Sequence, residues 1–525
     1  MRKITIIWIT IFLATISYSN ATIWNVGSTQ TYTLPSQLIN LVQNGDTVYI
    51  DGGVYLNDAS KWIKKDLKII GLGTGNNRTI LRYDGDIPNG KGIFVFETPG
   101  TCDNPYIENI VFDSAMVSDG DGANGAGIRF QANNITVNNC KFMNCQDGIL
   151  EGNAAVTTSN VTIINSEFYN NGYQEQNNPT YSGYEHHIYI SASADTLLVQ
   201  NCYFHHPRGQ ANSLKTRAQR SYILYNLIDE EATGYGSWEM DIAQGGLNVI
   251  MGNIVIQGPA GANHGIIGYD AVTNALEDFY FVNNTIINQY VGNIEYFNIA
   301  PTSGINTYKV YNNIFASVAG ASNTMFTGHI PAVLDTSNNI NAPNYLTLGF
   351  MNPSVDDYSL TAAATAAIDH GTNAGMTNTG YSLTPVNMYQ NFDSVLLPRI
   401  IIGGIIDIGA YEFSGNTGIL ENIFSNNISI FPNPTSASIN ISIPNYNIKS
   451  CVINLYDMLG QKQWTMDNGQ LKAIDNGQLT IDNNTTTMSI VNYQLSINVG
   501  RLSPGIYFLE VIIDGEKQVR KVVKL

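Results

Sequence analysis

From about Asn109 onward, short stretches of alternating apolar and polar residues end on asparagine, and the pattern keeps returning. It is visible in Thr136-Val137-Asn138-Asn139, Thr162-Ile163-Ile164-Asn165, Leu198-Val199-Gln200-Asn201 and Ile223-Leu224-Tyr225-Asn226. It continues in Val249-Ile250-Met251-Gly252-Asn253, Tyr280-Phe281-Val282-Asn283-Asn284 and Val310-Tyr311-Asn312-Asn313. The last asparagines of these runs lie 25 to 36 residues apart, the longer steps carrying loop insertions. Alternation with a period of two predicts strands, and a repeat near this length with Asn and Gly at its corners predicts stacked coils of three strands. Asparagines stacked at the strand spacing, roughly 4.8 Å, can pair as amide ladders, which is a physical reason for Asn at a corner. Neither the fixed-offset leucines of leucine-rich repeats nor the Trp-Asp signatures of propeller blades are present.

The ends of the repeat carry their own signals. Residues 34–42, with Pro35 and Ser36 near the start and Asn44-Gly45 after the end, predict a short amphipathic helix that hides the open end of the core. The following Asn44-Gly45-Asp46-Thr47-Val48-Tyr49-Ile50 and Gly53-Val54-Tyr55 resemble the N-terminal cap of right-handed parallel β-helix proteins. Past Asn313 the repeat fades. Ala367-Ile368-Asp369-His370-Gly371, Pro398-Arg399 and Asp407-Ile408-Gly409-Ala410-Tyr411-Glu412 resemble the end-piece of bacterial surface β-helix proteins, which implies closure of the C-terminal end of the solenoid. Residues 414–427, rich in Gly, Ser and Asn, read as a linker. Beyond it, Phe431-Pro432-Asn433-Pro434, Leu455-Tyr456-Asp457-Met458-Leu459-Gly460, Leu502-Ser503-Pro504-Gly505-Ile506-Tyr507 and Lys521-Val522-Val523-Lys524 resemble the type A C-terminal sorting domain of the type IX secretion system of Bacteroidota. That resemblance implies an Ig-like β-sandwich that engages the secretion machinery. Asp467-Asn468-Gly469-Gln470-Leu471 recurs as Asp475-Asn476-Gly477-Gln478-Leu479, so residues 467–492 read as a low-complexity, mobile insertion in a hairpin loop. The expected organisation is thus all-β: signal 1–21, cap and first coils 22–108, β-helix core 109–345, end-piece 346–413, linker 414–427 and sorting domain 428–525.

Composition changes the picture in three ways. Met1-Arg2-Lys3, the apolar run to Ile16 and Ser19-Asn20-Ala21 have the layout of a secretory signal peptide, so the protein is expected to be secreted or on the outer-membrane surface after passing the periplasm. No later stretch has eighteen consecutive apolar residues, so no transmembrane span is expected. The net charge of −17 argues against nucleic acid and anionic membrane as partners. Of the five cysteines, Cys140 and Cys202 occupy equivalent repeat positions two coils apart, roughly 10 Å and too far for a disulfide, which predicts small buried residues in a stack.

With only 13% charged residues, the polar groups between Tyr184 and Asp270 are conspicuous. With Ile188 and Ile190 inward, alternation predicts His187, Tyr189 and Ser191 outward. Likewise Leu214 and Thr216 inward predict Ser213, Lys215 and Arg217 outward, and Met240 and Ile242 inward predict Glu239 and Asp241 outward. Stacking then sets Tyr189 beside Lys215 and Glu239, and Ser191 beside Arg217 and Asp241. The groups suit β-elimination from a uronate: Lys215 as base, Arg217 gripping the carboxylate, Tyr189 or His187 supplying the proton. Glu239 and Asp241 suit Ca2+, and Tyr184, His186, Ser213, His264 and Tyr269 are candidate substrate contacts. Asn212-Ser213-Leu214-Lys215-Thr216 resembles the strand of β-helix alginate and chondroitin lyases that carries the catalytic Lys, although Glu239 or Asp241 stands where those lyases carry an Arg on the next coil. The expected partner is an acidic polysaccharide. Two other readings remain open: a non-catalytic glycan-binding, adhesin-like or structural surface protein, in which Lys215 and Arg217 pair with Glu239 and Asp241, and a glycoside hydrolase using Glu185, Glu239 and Asp241. Neighbouring His186-His187 face opposite ways on a strand, which disfavours zinc.

Overall fold

A computed structural model of the chain describes residues 21–413, apart from 98–101, 153–157, 174–182, 264, 271–272, 301–303 and 391–395, together with discontinuous stretches of 429–524. The chain divides into two compact units, 1–415 and 416–525. In the first, the described residues form three parallel sheets of 12, 11 and 10 strands. The first runs from Ile23–Val26 to Leu334–Ser337, the second from Gly53–Leu56 to Ile340–Ala342 and the third from Ser60–Trp62 to Ser322–Gly328. From Thr47–Ile50 onward successive strands enter the first, second and third sheet in turn, so each coil pairs with its neighbouring coils. This is a parallel β-helix.

The alternation in the sequence is the alternation of burial. In Ile135–Asn138, Ile135 and Val137 are buried while Thr136 and Asn138 are half-buried. Inside the second sheet Phe112, Phe142, Phe168 and Phe204 stack at centroid separations of 5.0, 4.9 and 4.7 Å, within 8° of parallel. Offset aromatic stacking of this kind adds to area burial and fixes the coil register.

The corner asparagines form two columns where the sequence predicts one. Asn109, Asn139, Asn165, Asn201, Asn283 and Asn312 have positive φ and turn the chain from the first sheet to the second. Asn tolerates that left-handed backbone better than most residues. Tyr225 and Gly252 hold the same corner in their coils. One residue later the side chain points inward, and Asn226, Asn253, Asn284, Asn313 and the half-buried Asn339 form a ladder in which Oδ1 of each of the last four accepts from the amide side chain and backbone N–H of the asparagine one coil before. Cys140, Ser166 and Cys202 continue this column, with Cys140 N–H donating to Ser166 and Cys202 N–H to Asn226. Both cysteines are buried free thiols.

At the N-terminal end the segment predicted as a helix is a 3-10 turn, Pro35–Leu38, with Leu38 and Val42 packed into the core. The end-piece also differs from expectation, because it wraps the outside of the solenoid. Phe350, Tyr358, Leu360, Ala364, Ala367, Ile408 and Ala410 cover Ile254, Ile256, Ile287, Ile314 and Ala316 of the second sheet. Ala374, Leu383 and Tyr381 cover Val249, Met251, Tyr280 and Val282 of the first. The clusters that this segment enters draw on the first and second sheets and on no strand of the third.

The second unit has two antiparallel sheets of five and four strands among its described residues. Ile439, Ile441 and Ile497 of one and Ile453, Leu455, Leu509 and Val511 of the other are buried at every second position. The presumed loop insertion contains a hairpin, Leu479–Asn483 with Thr486–Val491, that extends the five-stranded sheet. Residues 469–478 lie outside the described residues.

Candidate functional site

Five third-sheet strands, Asp147–Glu151, His186–Ile190, Asn212–Thr216, Met240–Ile242 and Gly265–Tyr269, lie in consecutive register. Their inward residues Ile149, Ile188, Leu214, Met240 and Ile267 are buried in the core. The residues after these, Leu150, Tyr189, Lys215, Asp241 and Gly268, form one ladder on the outer face.

At its centre Lys215 Nζ donates to Asp241 Oδ2 at 2.8 Å, and Asn212 Nδ2 donates to the same oxygen at 2.9 Å. The Lys215 side chain is 19% exposed and that of Asp241 5%. Arg217 lies over the Tyr189 ring at 5.9 Å from its centroid, a cation–π distance. His186 packs against the same ring at 5.6 Å, and its Nδ1 accepts the Asn212 backbone N–H at 3.2 Å. Burial, then the charge of Lys215, hold the His186 imidazole well below the usual histidine range, so it is neutral at pH 7 with its proton on Nε2. Beside it, Asp147 accepts the His186 backbone N–H at 2.8 Å, and burial pushes its carboxyl up to about 8. Burial, with the charge of Asp147, pushes Glu185 up to about 9. The face therefore offers two cations and a phenol, with a neutral imidazole and carboxyl groups of raised proton affinity buried beneath them.

Several predicted residues lie elsewhere, and for His187, Ser213 and Glu239 the reason is the same. At the start of each third-sheet strand the chain bends and two consecutive side chains point inward, so alternation counted backwards from Ile188, Leu214 or Met240 fails at the next residue. Pairing skips His187 opposite Ser213 accordingly. Gly127 and Gly148 occupy the same bend, where an added Cβ would stand 2.7 Å from the Phe142 ring and 2.9 Å from the Phe168 ring. His187, Ser213 and Glu239 thus form an interior column, exposed 0%, 1% and 1%. His187 sits between Phe168 and Phe204, its Nδ1 2.9 Å from the Asn171 amide, and burial holds it well below the usual histidine range. It cannot meet a substrate on the outer face, and neither can Ser213 or Glu239. The register partner of Lys215 is Asp241, two residues on from the expected Glu239. Tyr269 is also interior, packed on Phe279 and Tyr308. Tyr184 is 70% exposed. His264 lies outside the described residues.

Glu239 and Asp241 do not make one cation site. Asp241 is engaged by Lys215 and Asn212, whereas Glu239 is raised well above the carboxylate range by burial and by Glu230. Among the described residues no group of three or more His, Cys, Asp or Glu is arranged to hold a metal ion. The paired histidines His205-His206 belong to a different face, where His205 bridges Glu231 at 2.7 Å and Glu167 at 3.0 Å.

Sequence reasoning missed Asp147, Asn212 and Trp238 at the site. Asp147 is the coil equivalent of the position before Gly148, two coils from Asn212, a correspondence that appears only once the Gly148 bend is aligned with His187. Trp238 precedes the bend residue Glu239, and its N–H donates to Asn212 Oδ1 at 3.2 Å.

No family model matches the chain, and no curated protein matches it. Among solved structures it is similar to the crystal structure of the pectate lyase Pel9A, at 14% identity and a TM-score of 0.45, with 75% of this chain and 97% of that chain covered. The fold assignment rests on the strand order and register described above.

Proposed function

We propose that the outer face of the third sheet binds an acidic polysaccharide and cleaves it by β-elimination. The observation that carries this reading is the convergence of Lys215, Arg217 and Tyr189 on one outer face, with neutral His186 packed beneath the Tyr189 ring, on the face that the described residues of the C-terminal wrap leave alone. In β-elimination the proton beside a uronate carboxylate leaves to a base while the glycosidic oxygen departs with a proton. Arg217 suits neutralisation of the carboxylate, which stabilises charge developing on it. Lys215 acts as base in its neutral form: its ammonium first passes one proton to Asp241 Oδ2, 2.8 Å away, and the free amine then takes the proton from the carbon beside the carboxylate. Tyr189 is the proton donor to the leaving oxygen. The test is the appearance of unsaturated product absorbance on uronate polymers, with and without calcium. The wild-type protein is expected to be active on at least one, and Lys215→Ala to lose about 100-fold or more in kcat/KM. No product on any polymer, or equal rates in Lys215→Ala, removes the assignment.

One observation favours a second reading, glycan binding without turnover: Lys215 is already an ammonium in an ion pair with Asp241. Binding of uronate oligomers by calorimetry with no product formed would establish it. Export follows from the N-terminal signal and the four C-terminal motifs as part of the same proposal. Removing residues 428–525 is expected to leave the protein in the periplasm, and unchanged surface delivery of the shortened chain would refute that role.

A further inference from the structure

The strand that follows the Lys215–Asp241 pair is built to carry an indole. Trp238 lies across Gly265 and Gly268, the two outer-face positions of Gly265–Tyr269. An added Cβ at Gly265 would stand 2.2 Å from ring carbon Cζ3 and 2.5 Å from Cη2. At Gly268 it would stand 3.3 Å from Cδ2 and 3.5 Å from Cε2. Neither glycine has a positive φ, so the turn chemistry that usually explains glycine does not apply. What a side chain at either position would do is lift the ring off the sheet. Trp238 is fixed from below by its backbone, whose N–H donates to Asn212 Oδ1 and whose carbonyl accepts from Ser213 N–H. The residue is only half-buried. A large apolar ring left partly open to solvent, in the middle of a polar face, calls for a partner.

Gly268 pairs with Asp241 on one side and Asn298 on the other. The indole is therefore two strand steps, roughly 10 Å, from Lys215 along the solenoid axis. Asn298 and Glu295 flank it beyond, Asn298 Nδ2 donating to Glu295 Oε1 at 2.5 Å. A flat aromatic surface edged by amide and carboxylate groups is complementary to a pyranose ring, whose axial C–H bonds form an apolar face and whose hydroxyls form a polar rim.

We propose that Trp238, seated on Gly265 and Gly268, is a stacking subsite that holds one hexopyranose ring of the glycan beside the Lys215 centre. This rests on the reading of the outer third-sheet face as a polysaccharide groove, and it adds a residue that sets register along the chain. The ring is presented without loss of side-chain freedom on binding, because the two glycines and the backbone bonds already hold it.

The test uses the full-length mature chain and oligomers of galacturonate, mannuronate and glucuronate, with cello-oligosaccharide as a neutral control, titrated by calorimetry and indole fluorescence. Trp238→Leu keeps the glycines covered but removes the aromatic face, and is expected to weaken the best-bound oligomer about tenfold or more. Trp238→Phe is expected to recover most of that loss. Gly265→Ala retains the tryptophan but displaces it, and is expected to match Trp238→Leu with an altered emission maximum. If an oligomer binds the wild type and binds Trp238→Leu and Gly265→Ala equally well, the stacking subsite is wrong and the groove stands. If the wild type binds no oligomer, both the subsite and the groove are wrong.

Discussion

Among the described residues Glu239 accepts no hydrogen bond from another residue on either carboxyl oxygen, and the charge of Glu230 adds to its burial in raising its proton affinity. It shares the interior with other acids held in their neutral form. Burial sets Asp229 at about 7, and it places Asp147 and Glu185 at the values given above. The sign of the consequence follows from linkage. An acid whose folded value is raised gives its full stabilisation below its unfolded value, 4.5 for Glu239. That stabilisation drains away as pH climbs towards the folded value. His205 adds to this slope: burial lowers it, but hydrogen bonds to Glu167 and Glu231 win and raise it, so its contribution is lost above its folded value. Glu167 and Glu231 are held low by those bonds and act in the opposite sense, losing their contribution on acidification. The thermal midpoint is therefore expected to be highest at mildly acidic pH and to fall steadily from about pH 6 to pH 9. Glu239→Gln, neutral at every pH, is expected to flatten that fall. Scanning calorimetry at about pH 5, 7 and 9 checks it, and an identical slope in the variant would show that Glu239 is already charged in the folded protein.

At the scale of the element, the inward asparagine column works as a hydrogen-bonded spine. Asn253 Nδ2 donates to Ile223 O at 2.8 Å and Asn284 Oδ1 at 3.0 Å, while its Oδ1 accepts Asn226 N–H and Nδ2, both at 2.9 Å. Asn253→Ala leaves buried donors and acceptors on three coils without partners, at a cost of about 3 to 5 kcal/mol. Asn253→Ser, which copies Ser166 in the same column, is expected to cost about half as much, as read from denaturant midpoints. Equal costs for the two would mean that volume, not hydrogen bonding, sets the spine. The spine also explains how far the sequence could be read. Coil length, strand alternation and the presence of asparagine at corners were legible because each is a local, repeated physical demand. Which asparagine turns the chain and which points inward was not, since Asn201 and Asn226 look alike until Cys202 and Tyr225 are placed beside them in three dimensions. The outward facing of Tyr189, Lys215 and Arg217 was legible from the apolar residues between them. The inward facing of His187, Ser213 and Glu239 was not, because a bend breaks the period-two rule and its only local trace, Gly127 and Gly148, lies in other coils. Trp238 was illegible for a related reason: its seat is two glycines on the next coil.

For the whole solenoid, the decisive asymmetry is that the described residues of the wrap cover two outer faces and leave the third alone. The wrap is pinned by Arg399, whose side chain is 0% exposed. Its Nε donates to Glu412 Oε2 at 3.0 Å, Nη1 to Gly409 O at 3.0 Å, and Nη2 to Asp407 O at 3.0 Å and Tyr411 O at 3.2 Å. Gly409 is in turn pressed against the second sheet, where a Cβ would meet Ile314 Cδ1 at 2.7 Å, and Asn283 Nδ2 donates to Asp407 O at 2.9 Å. Arg399→Ala takes the paired cation from the buried Glu412 carboxylate and a donor from Tyr411 O, while Asp407 O and Gly409 O keep Asn283 Nδ2, a loss of about 3 to 5 kcal/mol. Because the coils beneath are held by their own ladders and spine, the loss should appear as release of the wrap before the solenoid melts. The expected result is rapid proteolysis within residues 346–413 and increased binding of a hydrophobic dye to the uncovered faces, with the far-UV spectrum of the β-helix retained. Oligosaccharide binding at the third sheet is expected to survive, since no wrap residue touches Lys215, Arg217 or Trp238 in any contact described above. Cooperative loss of all β signal with the wrap would instead show that the two covered faces are part of the solenoid's folding unit. The open face would then depend on the same interactions that keep the other two closed.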